Sequence, residues 1–285
     1  MADISVTRPQ IAPHKKPAVR WLGDLWRPLA LPLLLFLILP LVALFLRVSP
    51  ARLLENLGQI EVLQAIGVSL VTSLTSTLIT ILFGTPVAYQ LAHRRTRFTR
   101  FVDTLIDLPT VLPPAVAGVA LLMAFGRRGL FGGWLNAVGI SLPFTEIAVV
   151  LAQTFIASPY YIKAAAIGFA GVNDDLHQAA ALDGANGWQT FRYITVPLAW
   201  TGLLSGSVMT WARALGEFGA TIIFAGNFPG RTQTMPLAIY IGFEINLDVA
   251  LTLSVILVGF SFLTLFLVKG LLNREQDTIT SGESS

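Results

Sequence analysis

Cysteine is absent from this 285-residue chain, which removes disulfides, thiol catalysis, sulfur-ligated zinc and iron–sulfur clusters. Charge is scarce. Asp, Glu, Lys and Arg make up 12% of the residues against 54% hydrophobic, whereas soluble domains carry about 25% charged residues. So few charges cannot coat a water-exposed surface, so lipid must be much of the solvent. Histidine occurs three times, at His14, His93 and His177. No two share metal-ligand spacing in the sequence, and no metal site is expected. A phosphate-cradling Gly-x-x-x-x-Gly-Lys-Ser/Thr loop is missing, so this chain carries no ATPase site of its own. The net charge of +3 comes without any RNA- or DNA-binding motif, and nucleic acid is not expected as a partner.

No catalytic residue stands out. The histidines fall in the N-terminal tail or in connections, outside the apolar runs. Asp103 and Asp107 are four apart at the start of an apolar run and have no histidine partner. They read as solvated carboxylates complementing a helix dipole. A membrane-embedded enzyme is therefore disfavoured. An ion-gradient-driven transporter is the stronger rival, but it should show repeated halves or ionisable residues at mid-membrane. No long repeat is evident.

What is present is a series of apolar runs near the roughly 20 residues that cross a bilayer core. Six are expected to be transmembrane helices: about 29–46, 62–92, 104–125, 147–169, 196–215 and 249–268. Helices are the natural solution in lipid, because each backbone group is satisfied within its own segment. The fold class is thus all-α and polytopic. A basic tail over 1–28, with Arg8, Lys15, Lys16, Arg20 and Arg27, precedes a membrane domain over 29–272. The stretch 273–285 reads as a disordered tail. Arg94, Arg95, Arg97 and Arg100 crowd the second connection, and Lys269 and Arg274 follow the last run. By the positive-inside rule both termini are cytoplasmic. Arg47, Arg52, Arg127, Arg128 and Arg231 then lie on the opposite side. In the third run, Pro109, Pro113 and Pro114 predict an irregular entry or a kink.

The fourth connection, 173–197, is not an ordinary loop. Asn173 is placed to cap a helix whose first turn holds Asp174 and Asp175. Ala179, Ala180, Ala181 and Leu182 favour helix, and Gly184 is a natural stop. A second short turn with Trp188, Phe191 and Ile194 follows, and Pro197 suits the first turn of the next span. Small residues flanked by exposed aromatics suggest a docking element.

Here the chain resembles the membrane subunits of ABC importers. Their cytoplasmic signature is Glu-Ala-Ala, three residues, Gly, nine residues, Ile, one residue, Leu, Pro. This sequence has Gln178-Ala179-Ala180, Gly184, Ile194 and Val196-Pro197 with every spacing kept. It departs only at Gln178 and Val196. The resemblance implies the type I permease fold. It also implies that Gln178, Ala179, Ala180, Asp183, Gly184, Ala185, Trp188 and Pro197 belong to a loop gripped by an ATP-hydrolysing subunit.

A second stretch is more specific. Arg213, Gly216, Glu217 and Gly219, followed by Asn227, Gly230, Arg231, Thr232, Gln233 and Thr234, sit in a segment similar to the molybdate branch of the molybdate/sulfate/tungstate permeases. Independently of that likeness, Arg213 and Glu217 are four apart and share one helix face. They either fix helix register or, with Pro113 and Pro114, brace a gate. The later residues form an external loop. The resemblance implies a homodimer in the plasma (cell inner) membrane. It implies two ATP-binding cassette subunits on the cytoplasmic side that use ATP-Mg, and an extracytoplasmic oxyanion-binding protein. This chain itself would bind no cofactor. Molybdate is the expected cargo, with tungstate and sulfate as alternatives.

Overall fold

The computed structural model describes the backbone of residues 20–94 and 96–282, and the side chains of 29–94, 96–266, 269 and 270. Among these residues there are helices and no strands. The helices are α1 (Arg20–Arg47), α2 (Pro50–Leu57), α3 (Ile60–His93), α4 (Arg97–Val111), α5 (Pro114–Phe125), α6 (Gly132–Ala137) and α7 (Glu146–Ala170). Then follow α8 (Asp174–Leu182), α9 (Gly187–Thr190), a π-turn (Phe191–Thr195), α10 (Val196–Leu198), α11 (Trp200–Leu215), α12 (Gly219–Ala225), α13 (Met235–Ile245) and α14 (Leu247–Gly282). The chain divides into two units, 1–47 and 48–285. The first contains α1, whose backbone is already helical at Arg20, inside the stretch expected to be a tail. The rest of that expected tail lies outside the described residues.

In the second unit α3, α7 and α11 form the centre. The 34 residues of α3 are about 51 Å long at 1.5 Å per residue, well beyond a bilayer core of about 30 Å. Its buried face is a stripe of hydroxyls: Ser69, Thr72, Ser73, Ser76, Thr77 and Thr80. Its outward face is Val71, Leu74, Leu78 and Leu82. That is the inverse of a soluble amphipathic helix, and it follows from lipid being the outer solvent. The hydroxyls of Thr72, Thr77 and Thr80 donate to carbonyls four residues back, at 2.7–2.8 Å, so burial leaves them satisfied. Ser73 accepts from the Trp211 indole at 3.0 Å, and Ser76 accepts from Thr154 at 3.0 Å, which ties α3 to α11 and α7.

The α7–α11 crossing is made of small residues. A Cβ built on Gly202 would lie 2.9 Å from the Ala164 carbonyl oxygen and 2.9 Å from the Gly168 Cα. Gly202 and Gly206 are four apart on α11 and face Ala164 and Gly168 on α7. This spacing lets two helix backbones touch.

Among the described residues four helices are long and apolar enough to cross a membrane, α1, α3, α7 and α14, and the bent pair α4–α5 makes a fifth span if counted as one. Two of the six expected spans are not single straight helices. The third carries the break that its prolines predict, with α4 and α5 meeting at 116°. Leu112 and Pro113 both precede a proline, and both take extended backbone, with ψ of 136° and 130°. Proline disfavours the helical region for the residue before it, so two such residues in a row end α4 outright. The fifth is assembled from pieces. Its α11 has only 16 residues and is preceded by α10 and the π-turn, with a break at Ala199, whose ψ of 3° is not helical. At the C-terminus α14 runs on to Gly282, through the stretch from 273 expected to be disordered. Leu271, Leu272, Arg274, Glu275 and Gln276 are good helix formers, and no glycine or proline interrupts them until Gly282.

The two ends of the central bundle have different cores. At one end Ala88, Phe169, Val172 and Ala199 pack together. At the other, Val62, Leu215, Met235 and Leu253 do so. Val62 and Ala88 lie 26 residues apart on α3, about 39 Å along its axis.

Candidate functional site

Residues 173–197 form a capped, hydrogen-bonded handle at the first of these ends. The Asn173 side chain accepts from the Asp175 amide at 3.0 Å and starts α8, as its position before two acidic residues predicts. The other end of α8 closes with two nested bonds. Gly184 N–H donates to Ala181 O at 3.1 Å, and Ala185 N–H donates to Ala180 O at 2.9 Å. This is the Schellman pattern, and Gly184 supplies the φ of +85° that it needs. Asn186 then starts α9 through a reciprocal capping box with Gln189, at 2.9 and 2.8 Å. The spacing Asn186-x-x-Gln189 is the sequence signal of that box.

The handle is braced from behind. The Phe191 ring meets Tyr89 of α3 edge-on at 5.4 Å, and lies 6.1 Å from Phe169 of α7 and 5.7 Å from Trp188. His177 Nε2 is 3.0 Å from the hydroxyl of Thr195, itself fully buried. Of the residues singled out by the spacing, Ala180 is buried on the handle's inner side, and Ala185 is half-buried. Gln178, Ala179, Asp183, Gly184, Trp188 and Pro197 are exposed. Leu182 is 89% exposed, Trp188 66% and Tyr193 70%, a density of bare apolar side chains suited to a partner's surface.

Ion pairs flank this end. Lys163 of α7 bonds Asp103 at 2.5 Å and Asp107 at 2.9 Å, both on α4. The expectation that these carboxylates merely cap a helix start is corrected. Helix α4 begins six residues before Asp103, at a Thr96–Thr99 capping box, and the acids clamp α4 onto α7 instead. Arg94 and Arg100 line a cavity of about 540 Å³ beside Lys163, so the arginine-rich connection and the handle share one end.

The candidate gate lies toward the other end. Arg213 and Glu217 are paired at 2.8 Å, as their spacing predicts. Glu217 is 1% exposed, and its second oxygen accepts from the Ala220 amide at 2.8 Å, so it also holds the start of α12. Between them Gly216 ends α11. A Cβ on Gly219 would lie 2.6 Å from Pro114, so α5 rests directly on the turn that the ion pair stabilises. Pro114 and Gly219 are thus brought together, while Pro113 is exposed at the α4–α5 break.

The expected external loop is a tight, ordered turn. Phe228 O accepts from the amides of Arg231, Thr232 and Gln233 at 2.9–3.1 Å, and Phe228 N–H donates to the buried Thr232 hydroxyl at 3.0 Å. Gly230, at φ +71°, lies against Gln64 of α3. Arg231 is exposed, and Asn227 and Gln233 are half-buried. Thr234 is buried, and its hydroxyl has no partner. Gln153, in the middle of α7, is fully buried with both amide atoms unpartnered. A lone glutamine between Ala152 and Thr154 gives no signal by which it would be singled out.

Comparison with known proteins agrees with this arrangement. Residues 80–275 match the family model described as "Binding-protein-dependent transport system inner membrane component". The "Molybdenum transport system permease protein ModB" of Mycobacterium tuberculosis is 43% identical over 225 residues, covering 79% of this chain and 85% of that protein. The protein of the same description in Escherichia coli is 40% identical over 178 residues, covering 62% and 78%. The "Sulfate transport system permease protein CysW" of Synechococcus elongatus is 33% identical over 215 residues, covering 75% of each chain. Among solved structures, a bacterial ABC transporter involved in the import of alginate superposes with a TM-score of 0.70 at 16% identity, covering 89% of this chain and 95% of that one.

Proposed function

The chain belongs to the family of binding-protein-dependent transport system inner membrane components, and from that premise we propose that it is the membrane-spanning permease of an ATP-driven molybdate importer. The observation that carries the reading is the handle at 173–197. Its helix is capped at both ends and braced by α3, α7 and the π-turn, yet its outer surface is bare. ATP hydrolysis belongs to a separate subunit. Two such subunits would dock on the handles of two copies of this chain, with the handle end and both termini facing the cytoplasm. An extracytoplasmic oxyanion-binding protein would face the other end, near Arg231. The 43% identity to permeases described as molybdenum transporters supports the cargo, against 33% for the sulfate relative.

Movement has a continuous path. The handle leads through the π-turn into α11. Helix α11 is packed backbone to backbone on α7 and ends at the Arg213–Glu217 pair. That pair holds α12, on which α5 rests at Pro114. A push on α8 and α9 therefore reaches the broken α4–α5 span through well-packed contacts rather than loose loops. Spans three to five would rock between inward- and outward-open states as the two motors close.

The test is uptake by vesicles holding the whole transporter. Molybdate should accumulate with ATP present and the proton gradient dissipated. Replacing Ala180, 8% exposed on the inner side of the handle, by Glu should abolish uptake and release the ATPase subunit. Uptake that follows the proton gradient with ATP depleted would mean a secondary transporter. Uptake of sulfate in preference to molybdate would reassign the cargo and leave the machinery unchanged.

A further inference from the structure

The fold brings His93, at the C-terminal end of α3, against Asp174 and His177 of α8, residues that lie 84 positions apart in the chain at their extremes. One ligand atom from each of the three lies within 4.8 Å of the other two. His177 Nδ1 and an Asp174 carboxylate oxygen are already 3.7 Å apart. Donors around a tetrahedral zinc, at about 2.0–2.1 Å from the ion, stand roughly 3.3 Å from one another. Small side-chain rotations close that gap.

Each imidazole has one nitrogen against an oxygen behind it, and that pairing assigns its tautomer. His93 Nδ1 is 3.0 Å from the Tyr89 carbonyl. A carbonyl only accepts, so Nδ1 carries the proton and Nε2 keeps its lone pair. His177 Nε2 is 3.0 Å from the Thr195 hydroxyl, which also reaches the Thr190 carbonyl at 3.4 Å; in the tautomer with the proton on Nε2 the hydroxyl accepts from the ring, and the lone pair sits on Nδ1, the nitrogen that faces Asp174. Each imidazole is thus oriented by a backbone or hydroxyl acceptor behind it, the outer-shell arrangement that metal-binding histidines use. A carboxylate completes the set. Two imidazoles and one carboxylate select a borderline transition cation over calcium or magnesium, which take oxygen ligands.

We propose that His93, His177 and Asp174 form a binding site for a divalent transition cation of the zinc type, one that staples the handle to the end of α3. Three protein ligands leave a fourth position open to water. The site stands on these side chains alone. That its occupancy stiffens the handle rests on the docking reading above.

The test uses the full chain in lipid nanodiscs, stripped with chelator. Zn²⁺ titrated calorimetrically should bind once per chain. Co²⁺ substituted for it should give the intense visible bands of a tetrahedral site. His93→Ala and Asp174→Asn should each weaken binding at least tenfold, and His14→Ala should leave it unchanged. Because His177 also bonds Thr195, His93→Gln serves as the variant that disturbs α3 alone. Zn²⁺ should raise the melting temperature of the parent chain and of His14→Ala but not of the other variants. Absence of saturable Zn²⁺ binding to the parent chain, or equal binding in His93→Ala, would overturn the site. In the assembled transporter, Zn²⁺ should change the ATPase rate only when His93 is present. Stoichiometric binding with an unchanged rate would keep the site and overturn its role in coupling.

Discussion

Replacing Gly184 by Ala isolates the cap of the handle from every other feature of the site. Gly184 has φ +85°, and a Cβ built there meets nothing within 4 Å. The substitution therefore introduces no clash inside this chain. Its cost is conformational. An L-residue in the left-handed region costs about 1–2 kcal/mol relative to the right-handed one. The chain can escape that cost only by giving up the two closing bonds, Gly184 N–H to Ala181 O and Ala185 N–H to Ala180 O. Each is worth about 0.5–1.5 kcal/mol, so the two routes cost much the same and α8 frays from its C-terminal end. If the partner binds only the capped form, about 1–2 kcal/mol becomes a roughly 5- to 30-fold loss in affinity. The assay is the affinity of the ATPase subunit for the permease in nanodiscs, for the parent chain, Gly184→Ala and Gly184→Asn. Asparagine is bulkier than alanine but tolerates the left-handed conformation. The expected order of affinity is Gly, then Asn, then Ala. The order Gly, Ala, Asn would mean that bulk in the partner's groove decides, and equal affinities would mean that the cap is irrelevant. Either result refutes the reasoning.

Three further outcomes are expected. Gly202→Ala should lower thermal stability, because its Cβ would stand 2.9 Å from backbone atoms of α7 and overpacking costs about 1–3 kcal/mol; Gly67→Ala, the same change with nothing within 4 Å, should raise it by up to about 1 kcal/mol, as read by melting in detergent. Glu217→Ala should destabilise by about 3 kcal/mol or more, since it strands Arg213 beside a buried vacancy and removes the acceptor for Ala220; Glu217→Gln, which keeps that acceptor, should cost less in the same melting assay and retain more uptake. Lys163→Met leaves Asp103 and Asp107 without their shared cation; because all three are partly exposed, global stability should fall by only about 1 kcal/mol, while hydrogen exchange across 97–111 should speed up as α4 loosens from α7.

Features whose determinants are close together in sequence were legible. The caps of α8 at Asn173 and Gly184 follow from local backbone chemistry, and the 213–217 pair follows from helix periodicity. The apolar runs located α1, α3, α7 and α14, because hydropathy over a long window reports directly on lipid contact. Three things were not legible. The consecutive prolines announced a disturbance at 112–114, but its size, 116°, depends on two adjacent residues both adopting extended backbone. The acids at 103 and 107 seemed solvated, because Lys163 lies some sixty residues away, within an apolar run. No local spacing links His93 to His177, which meet only because α3 overshoots the bilayer thickness and ends beside α8. The hydroxyl stripe of α3 is invisible to a hydropathy reading for a related reason. Serine and threonine are weakly polar, and only the packing partners, Trp211 and Thr154 among them, show which of them face inward.

The central claim is that 173–197 is an inward-facing handle held by a nucleotide-driven motor. The chain contains no cysteine, so a single Leu182→Cys, at a position 89% exposed, gives labelling without background. An impermeant thiol reagent should leave this cysteine untouched in intact cells and modify it in inverted vesicles, where addition of the ATPase subunit should protect it and a short bifunctional reagent should join the two chains. Modification in intact cells, or free labelling that the ATPase subunit does nothing to prevent, would contradict the account.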